Sequence, residues 1–185
     1  MFSNQKTSRF GRRLVSRTLL VMVGCVLGAC SGEGSSGADT APKTLSHYFP
    51  IKVGDKIVRM QVAVRPEEMQ RGLMGRRDLG PDDGLLFVYQ RPQQLQFWMR
   101  NTPTPLDIGF FDSGGILQEI YPLHPFDEAP VGSRSTRLQF ALEVHQGWYR
   151  GNGVQRDATL DLEAVADALK QRGFEPWRFG MPRSE

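Results

Sequence analysis

Phe97-Trp98-Met99-Arg100-Asn101-Thr102-Pro103-Thr104-Pro105-Leu106-Asp107 is an apolar run that breaks into a polar, proline-studded bend and ends on a carboxylate. Side chains alternate in direction along a strand, so Trp98 and Met99 point to opposite sides, one to a core and one to a surface or cleft. The prolines favour extended and turn backbone over helix on both sides of Thr104. The bend therefore joins two strands, and the elements around it are read as its support or its rim.

Working outward, apolar residues recur with period two on both sides of this bend. Tyr48 to Val53 is a short strand closed by the hairpin signal Gly54-Asp55, and Lys56 to Val64 alternates cleanly with Val58, Met60, Val62 and Val64 on one face. Leu85 to Tyr89 is a fully apolar strand, Leu95 to Met99 leads into the bend, and Ile108 to Phe111 leaves it. Asp112-Ser113-Gly114-Gly115 predicts a tight turn into a returning strand, Ile116 to Leu123. His124 to Ser135 reads as a long mobile loop. Leu138 to His145 is one more strand, half-buried by its alternation, with Phe140, Leu142 and Val144 opposite Ala141 and Glu143.

Two helices interrupt this pattern. Pro66 stands at a first helical position with Glu67 and Glu68 in the first turn, which predicts a short helix over 66–74. Asp161 caps a second helix, 162–172, whose Val165, Ala168 and Leu169 share a face and which stops at Gly173. The expected fold is mainly β (α+β): a small β-barrel or sandwich-like domain with one short internal helix and a C-terminal helix.

The N-terminus predicts a compartment. Lys6, Arg9, Arg12, Arg13 and Arg17 make the start basic, the stretch from Leu14 to Leu27 is otherwise largely apolar, and it ends in Leu27-Gly28-Ala29-Cys30. That is the pattern of a secretory signal, too short for a stop-transfer helix. Cys30 after Leu27-Gly28-Ala29 resembles the lipobox of bacterial lipoproteins, where the thiol is acylated with palmitate-type chains and becomes the new N-terminus; plain cleavage at Ala29 is the alternative. Residues 31–43 (SGEGSSGADTAPK) read as a flexible tether with a reach of about 20 Å. Ser31 after the cysteine is the pattern left to go to the outer membrane of a Gram-negative envelope. The expected organisation is a signal peptide (1–29), lipidated Cys30 and linker (30–44), a β-rich domain (45–160), and a C-terminal helix with an aromatic tail (161–185). The implied location is the periplasmic face of the outer membrane.

Charge excludes one partner class. The chain holds 23 Lys and Arg against 20 Asp and Glu. Five of the basic residues lie in the leader, so residues 30–185 carry 18 against 20, about −2. The basic pI near 9.1 belongs to the leader, and nucleic acid is not an expected partner. With Cys25 in the leader, Cys30 is the one cysteine left, so no disulfide supports the fold.

Assembled in order, Arg71-Gly72-Leu73-Met74, Gly84-Leu85-Leu86-Phe87-Val88, Phe97-Trp98-Met99-Arg100-Asn101-Thr102 with Leu106-Asp107, and Ala141-Leu142-Glu143-Val144 with Gly147 resemble a family known as domain of unknown function 192. Its members are small bacterial and archaeal proteins, many of them exported. The resemblance runs over about Ile51 to Leu160 and implies a compact, mostly β fold. It supplies no established reaction. The helix after Asp161 and the tail with Trp177 and Phe179 lie beyond it.

Three constellations could carry chemistry. Arg71, Asn101, Thr102, Asp107 and Glu143 flank apolar strands, and with Trp98 at their edge they would form a cleft for a small polar ligand. Asp107, Glu143 and Arg71 could instead perform acid–base catalysis if burial separated their pKa values, or Arg71 could simply pair with one of the two acids. The second constellation is soft: Met74 and Met99, with Met60, Met69 and Trp98, offer thioethers to Cu(I) or fill a core. His47, His124 and His145 have no ligand spacing. The third would be a nucleophile, but no Gly-x-Ser-x-Gly elbow or triad is present. The leading expectation is a non-catalytic, lipid-anchored envelope module that uses no cofactor and binds an unidentified small ligand or envelope partner. The membrane would be its second partner, through Cys30.

Overall fold

The computed structural model describes residues 41–182. The leader, Cys30 and most of the tether lie outside the described residues. Within them, six strands and the pivotal bend appear where the alternation places them: β1 (Phe49–Val53), β2 (Lys56–Ala63), β3 (Asp83–Gln93), β5 (Leu106–Asp112), β6 (Leu117–Leu123) and β8 (Leu138–His145), with the short β4 (Gln96–Phe97) and β7 (Val131–Gly132). The six longer strands form one sheet in the order β1-β2-β3-β8-β5-β6. Every pair is antiparallel except β2 and β3, whose crossover carries helix α1 (Pro66–Arg71).

The fold is mostly β, as expected, and the sheet is open: it does not close into a barrel. Its edge strands, β1 and β6, are instead stitched at one end by residues 157–161. On the β1 side the Gly54 and Asp161 amides donate to the Thr159 and Lys52 carbonyls, at 2.8 and 3.0 Å. On the β6 side, the Leu117 and Asp157 amides donate to the Ala158 and Leu117 carbonyls, each at 2.9 Å. This segment adds two isolated bridges to the sheet edges, Val53 to Leu160 and Ile116 to Thr159.

Both faces of the sheet are covered. On one, Ile51, Met60, Val62, Leu86, Leu142 and Val144 pack against helix α2 (Trp148–Gly151) and helix α3 (Leu162–Gln171), through Tyr149, Val165 and Leu169. On the other, Leu85, Phe87, Ile108, Phe110 and Ala141 pack against Leu73, Leu95 and Met99. β8 is therefore buried on both sides, not half-buried, because β3 and β5 flank it and a layer covers each face.

Several short-range expectations are corrected. α1 stops at Arg71 because Gly72 adopts φ +48°, a conformation open to glycine, and the chain turns away three residues early. The stretch 95–99 pairs only at Gln96–Phe97, with Val131–Gly132 as its partner. The long loop 124–135 thus carries β7 and is pinned further, since the Glu119 carboxylate accepts the Arg134 and Ser135 amides at 2.9 and 2.8 Å. α3 is capped as expected, with the Ala164 amide donating to Asp161 Oδ1 at 3.0 Å. The tail folds back: Pro176 and Phe179 are buried in a short 3-10 turn (Pro176–Phe179), and Gln139 Nε2 donates to the Phe179 carbonyl at 2.6 Å.

Candidate functional site

The two motif-bearing segments meet on the α1 face of the sheet. The Gly75 amide donates to the Asn101 carbonyl at 2.8 Å, and Thr104 Oγ1 donates to the Arg76 carbonyl at 2.8 Å. Asn101 sits at φ +53°, so it turns the chain and presents its carbonyl to Gly75, while its side chain stays exposed. These bonds hold the 71–76 turn against the bend, and a cavity of about 200 Å³ opens between them and the sheet.

Arg71, Trp98, Thr102, Glu143 and Met74 line this cavity, together with Met69, Leu73, Phe87, Tyr89 and Phe97. Phe87 and Phe97 stand edge to face with ring centres 4.8 Å apart, which fixes that wall. Trp98 is 45% exposed at the rim, with the Arg100 guanidinium 5.9 Å from its ring centre. Thr102 is buried and its hydroxyl donates to the Arg100 carbonyl at 3.2 Å.

Glu143 is the acid inside the cavity. It projects from β8 on the same face as its cross-strand neighbours Leu85 and Ile108, and only 4% of it is exposed. Among the described residues, its carboxyl has neither a hydrogen-bond partner nor an ion pair. Such a group is costly to keep charged, and burial pushes its pKa up to about 8, so it is protonated at neutral pH. Tyr89 shares the cavity. Burial and the nearby Glu143 raise its phenol to about 12.

Asp107 does not join this group. It is one position out of phase with Ile108 on β5, so it points to the opposite face of the sheet from Glu143. There its Oδ2 accepts the Gly147 amide at 2.7 Å, bracing the turn in which Gly147 adopts φ +85° before α2. Burial raises its pKa, and the Gly147 amide and the Arg150 charge oppose that rise. Two carboxylates on opposite faces of one sheet cannot act on one bound atom, so the expected Asp107/Glu143 catalytic pair is not assembled. Arg71 forms no ion pair with either acid among the described residues.

The expected soft-metal pair is also divided: Met74 lines the cavity, whereas Met99 is 2% exposed in the core beside Leu95 and Leu106. Among the described residues, no three His, Cys, Asp or Glu side chains come together as a metal site. Of the six ligand-binding candidates, Arg71, Trp98, Thr102 and Glu143 meet in one cavity, Asn101 serves the turn beside it, and Asp107 braces a turn on the opposite face of the sheet. Sequence reasoning missed Tyr89 and Phe97 as lining residues. The Leu85 to Tyr89 alternation places Tyr89 on the face of Leu85 and Phe87, which was the available signal.

A second polar cluster is structural. Arg172, fully buried at the end of α3, bonds the Val62 carbonyl and reaches Glu68 Oε1 at 2.5 Å. Glu68 Oε2 in turn accepts the Val64 and Arg65 amides at the start of α1, each at 3.0 Å. Burial works against the Glu68 charge, but these amides and Arg172 outweigh it and hold its carboxyl below the usual range. The cluster fastens the C-terminal helix to the helix that carries the cavity's upper wall.

Comparisons with known proteins agree with this architecture. A crystallised protein of Sinorhizobium meliloti 1021, described as a candidate transcription regulator, is 30% identical with a TM-score of 0.59, covering 62% of this chain and 94% of the other. A protein of unknown function from Novosphingobium aromaticivorans DSM 12444 is 29% identical with a TM-score of 0.59, covering 65% of this chain and 90% of the other. No curated protein matches the chain. The family model DUF192, described as "Uncharacterized ACR", matches residues 49–162, which span β1 through the cap of α3 and include every residue of the cavity. The chain belongs to the DUF192 family.

Proposed function

We propose that this protein is a small-molecule binding module held at the cell envelope by an acylated Cys30, and that the cavity over Glu143 is its working site. The observation that carries the reading is the Glu143 carboxyl, buried at 4% exposure and left without a partner inside a cavity of about 200 Å³. Buried polar groups in folded proteins are paired almost without exception, and an unpaired one aimed into open space marks a place where something binds. The separation of Asp107 from Glu143 favours binding over acid–base catalysis, because one neutral carboxyl lacks the second group that proton transfer on both sides of a bond requires. The basic n-region, the apolar stretch and the Leu27-Gly28-Ala29-Cys30 sequence support the anchor. The charge of about −2 over residues 30–185 supports a partner other than nucleic acid.

The test replaces Glu143 with Leu, which keeps the volume and removes the polar head. Thermal unfolding of both proteins is followed against a panel of amines, carboxylates, sugars and amino acids. A solute that raises the wild-type Tm and leaves the Leu variant unmoved supports the reading. Identical responses of the two proteins to every solute contradict it.

A further inference from the structure

The walls around Glu143 narrow the class of ligand. Phe87, Phe97, Tyr89 and Trp98 supply aromatic surface, and Met69 and Met74 supply thioethers. Aromatic faces carry negative charge density that attracts cations, and thioethers are polarisable. A neutral polar ligand would need several donors and acceptors at depth. Thr102 has already given its hydroxyl to the Arg100 carbonyl, and the other polar side chains besides Glu143 and Tyr89, those of Gln70, Arg71 and Gln96, are exposed at the rim. For a hard metal ion the lining offers one carboxyl, and among the described residues no three His, Cys, Asp or Glu side chains come together.

We propose that the cavity receives the ammonium head of a small organic cation, with Glu143 as its counter-ion and the aromatic and thioether side chains as its cage. This inference rests on reading the cavity as a ligand site. A cavity of about 200 Å³ has room for a methylated ammonium group on a short stem. Arg71 at the rim rejects a second positive charge and favours a neutral or anionic far end.

The charge balance closes simply. Empty, the site holds Glu143 as a neutral acid, because burial raises its pKa to about 8. The ionisable groups that line the cavity with it are Tyr89 from β3 and Arg71 from α1, with Tyr149 of α2 on the other face of the sheet, and of these only Arg71 is charged at pH 7. The arriving cation makes the carboxylate the favoured form, so Glu143 gives its proton to solvent as the ion pair forms. No bond to carbon or nitrogen forms or breaks.

The experiment is calorimetric titration of the full chain at pH 7 with choline chloride, with its neutral carbon isostere 3,3-dimethylbutan-1-ol, and with potassium chloride as an ionic-strength control. Choline is expected to bind at least tenfold more tightly than the alcohol. Its heat should differ between phosphate and Tris buffers, as release of close to one proton requires. Glu143→Gln should weaken choline at least tenfold and leave the alcohol unchanged. Because a buried substitution could impair folding, Trp98→Ala at the exposed rim provides a second variant, expected to weaken choline severalfold with an unchanged Tm. Alcohol binding as tightly as choline, or choline binding unchanged in both variants, overturns the cation assignment while the cavity stands as a ligand site. If neither compound binds and neither shifts the methyl resonances of Met69 and Met74, the cation assignment falls, and the cavity as a ligand site is then decided by the solute panel.

Discussion

Glu143 stands in the strand with a neighbour on either side, on a face covered by the 71–76 turn, and this placement sets its proton affinity. Its folded pKa of about 8 lies above the 4.5 of an unperturbed glutamate. The folded state therefore binds the extra proton, and the associated stability is complete below pH 4.5 and lost as pH rises towards 8. Relative to Glu143→Gln, which cannot ionise, the wild type should lose about 1.4 kcal/mol per pH unit through the middle of that window. Urea denaturation of both proteins from pH 5 to 8.5 measures the difference, and parallel curves would refute it. At Gly109, an added methyl would overlap the hydroxyl of Tyr149, which donates to the Leu142 carbonyl at 3.0 Å. Gly109→Ala should cost about 1–3 kcal/mol of unfolding free energy, read from the denaturation midpoint.

At the scale of the element, α3 and α1 are joined through Arg172 and Glu68. Removing one member of a buried ion pair leaves the other charge unpaired, at a cost of about 3–5 kcal/mol. Arg172→Met should lower stability by that amount. Hydrogen exchange should show faster opening of 66–75 than of β3 or β8, and uniform acceleration across the chain would count against a specific clamp. The alternation of single segments foretold β1, β2, β5, β6, β8 and α3, because each buries an apolar face whose period is local. What it could not foretell is which faces coincide. Asp107 and Glu143 both flank apolar strands, yet the antiparallel register sets Asp107 opposite Val144 and Ile108 opposite Glu143, on different faces. That outcome depends on β8 lying between β3 and β5, a long-range fact. Asn101 misled for a different reason: a polar side chain in a motif looked like a ligand contact, whereas its left-handed backbone is what the turn uses. β7 escaped notice and β4 was expected over all of 95–99 because two-residue strands carry no period of their own.

For the molecule as a whole, the family match ends at Leu162, but the described fold does not. Val165, Ala168, Leu169, Phe179 and Met181 are buried against the sheet, each worth on the order of 1–3 kcal/mol of burial. A chain ending at Asp161 should lose its cooperative thermal transition and bind hydrophobic dyes; a truncated chain that melts as sharply as the parent would show the extension to be dispensable. The proposed envelope tether is tested in cells. Radiolabelled palmitate should enter the wild type and not Cys30→Ser, and equal labelling, or none in either, would remove the anchor while leaving the cavity untouched.

The account turns on one carboxyl held neutral and unpartnered inside an otherwise aromatic and thioether-lined cavity. Selective carbon-13 labelling of glutamate side chains, with Glu143 assigned by its Gln variant and titrated by NMR from pH 4 to 10, observes it directly. The account predicts a carboxyl resonance that stays in its protonated position at pH 7 and titrates near 8. A resonance that completes its titration near 4.5, as an exposed glutamate does, would contradict it.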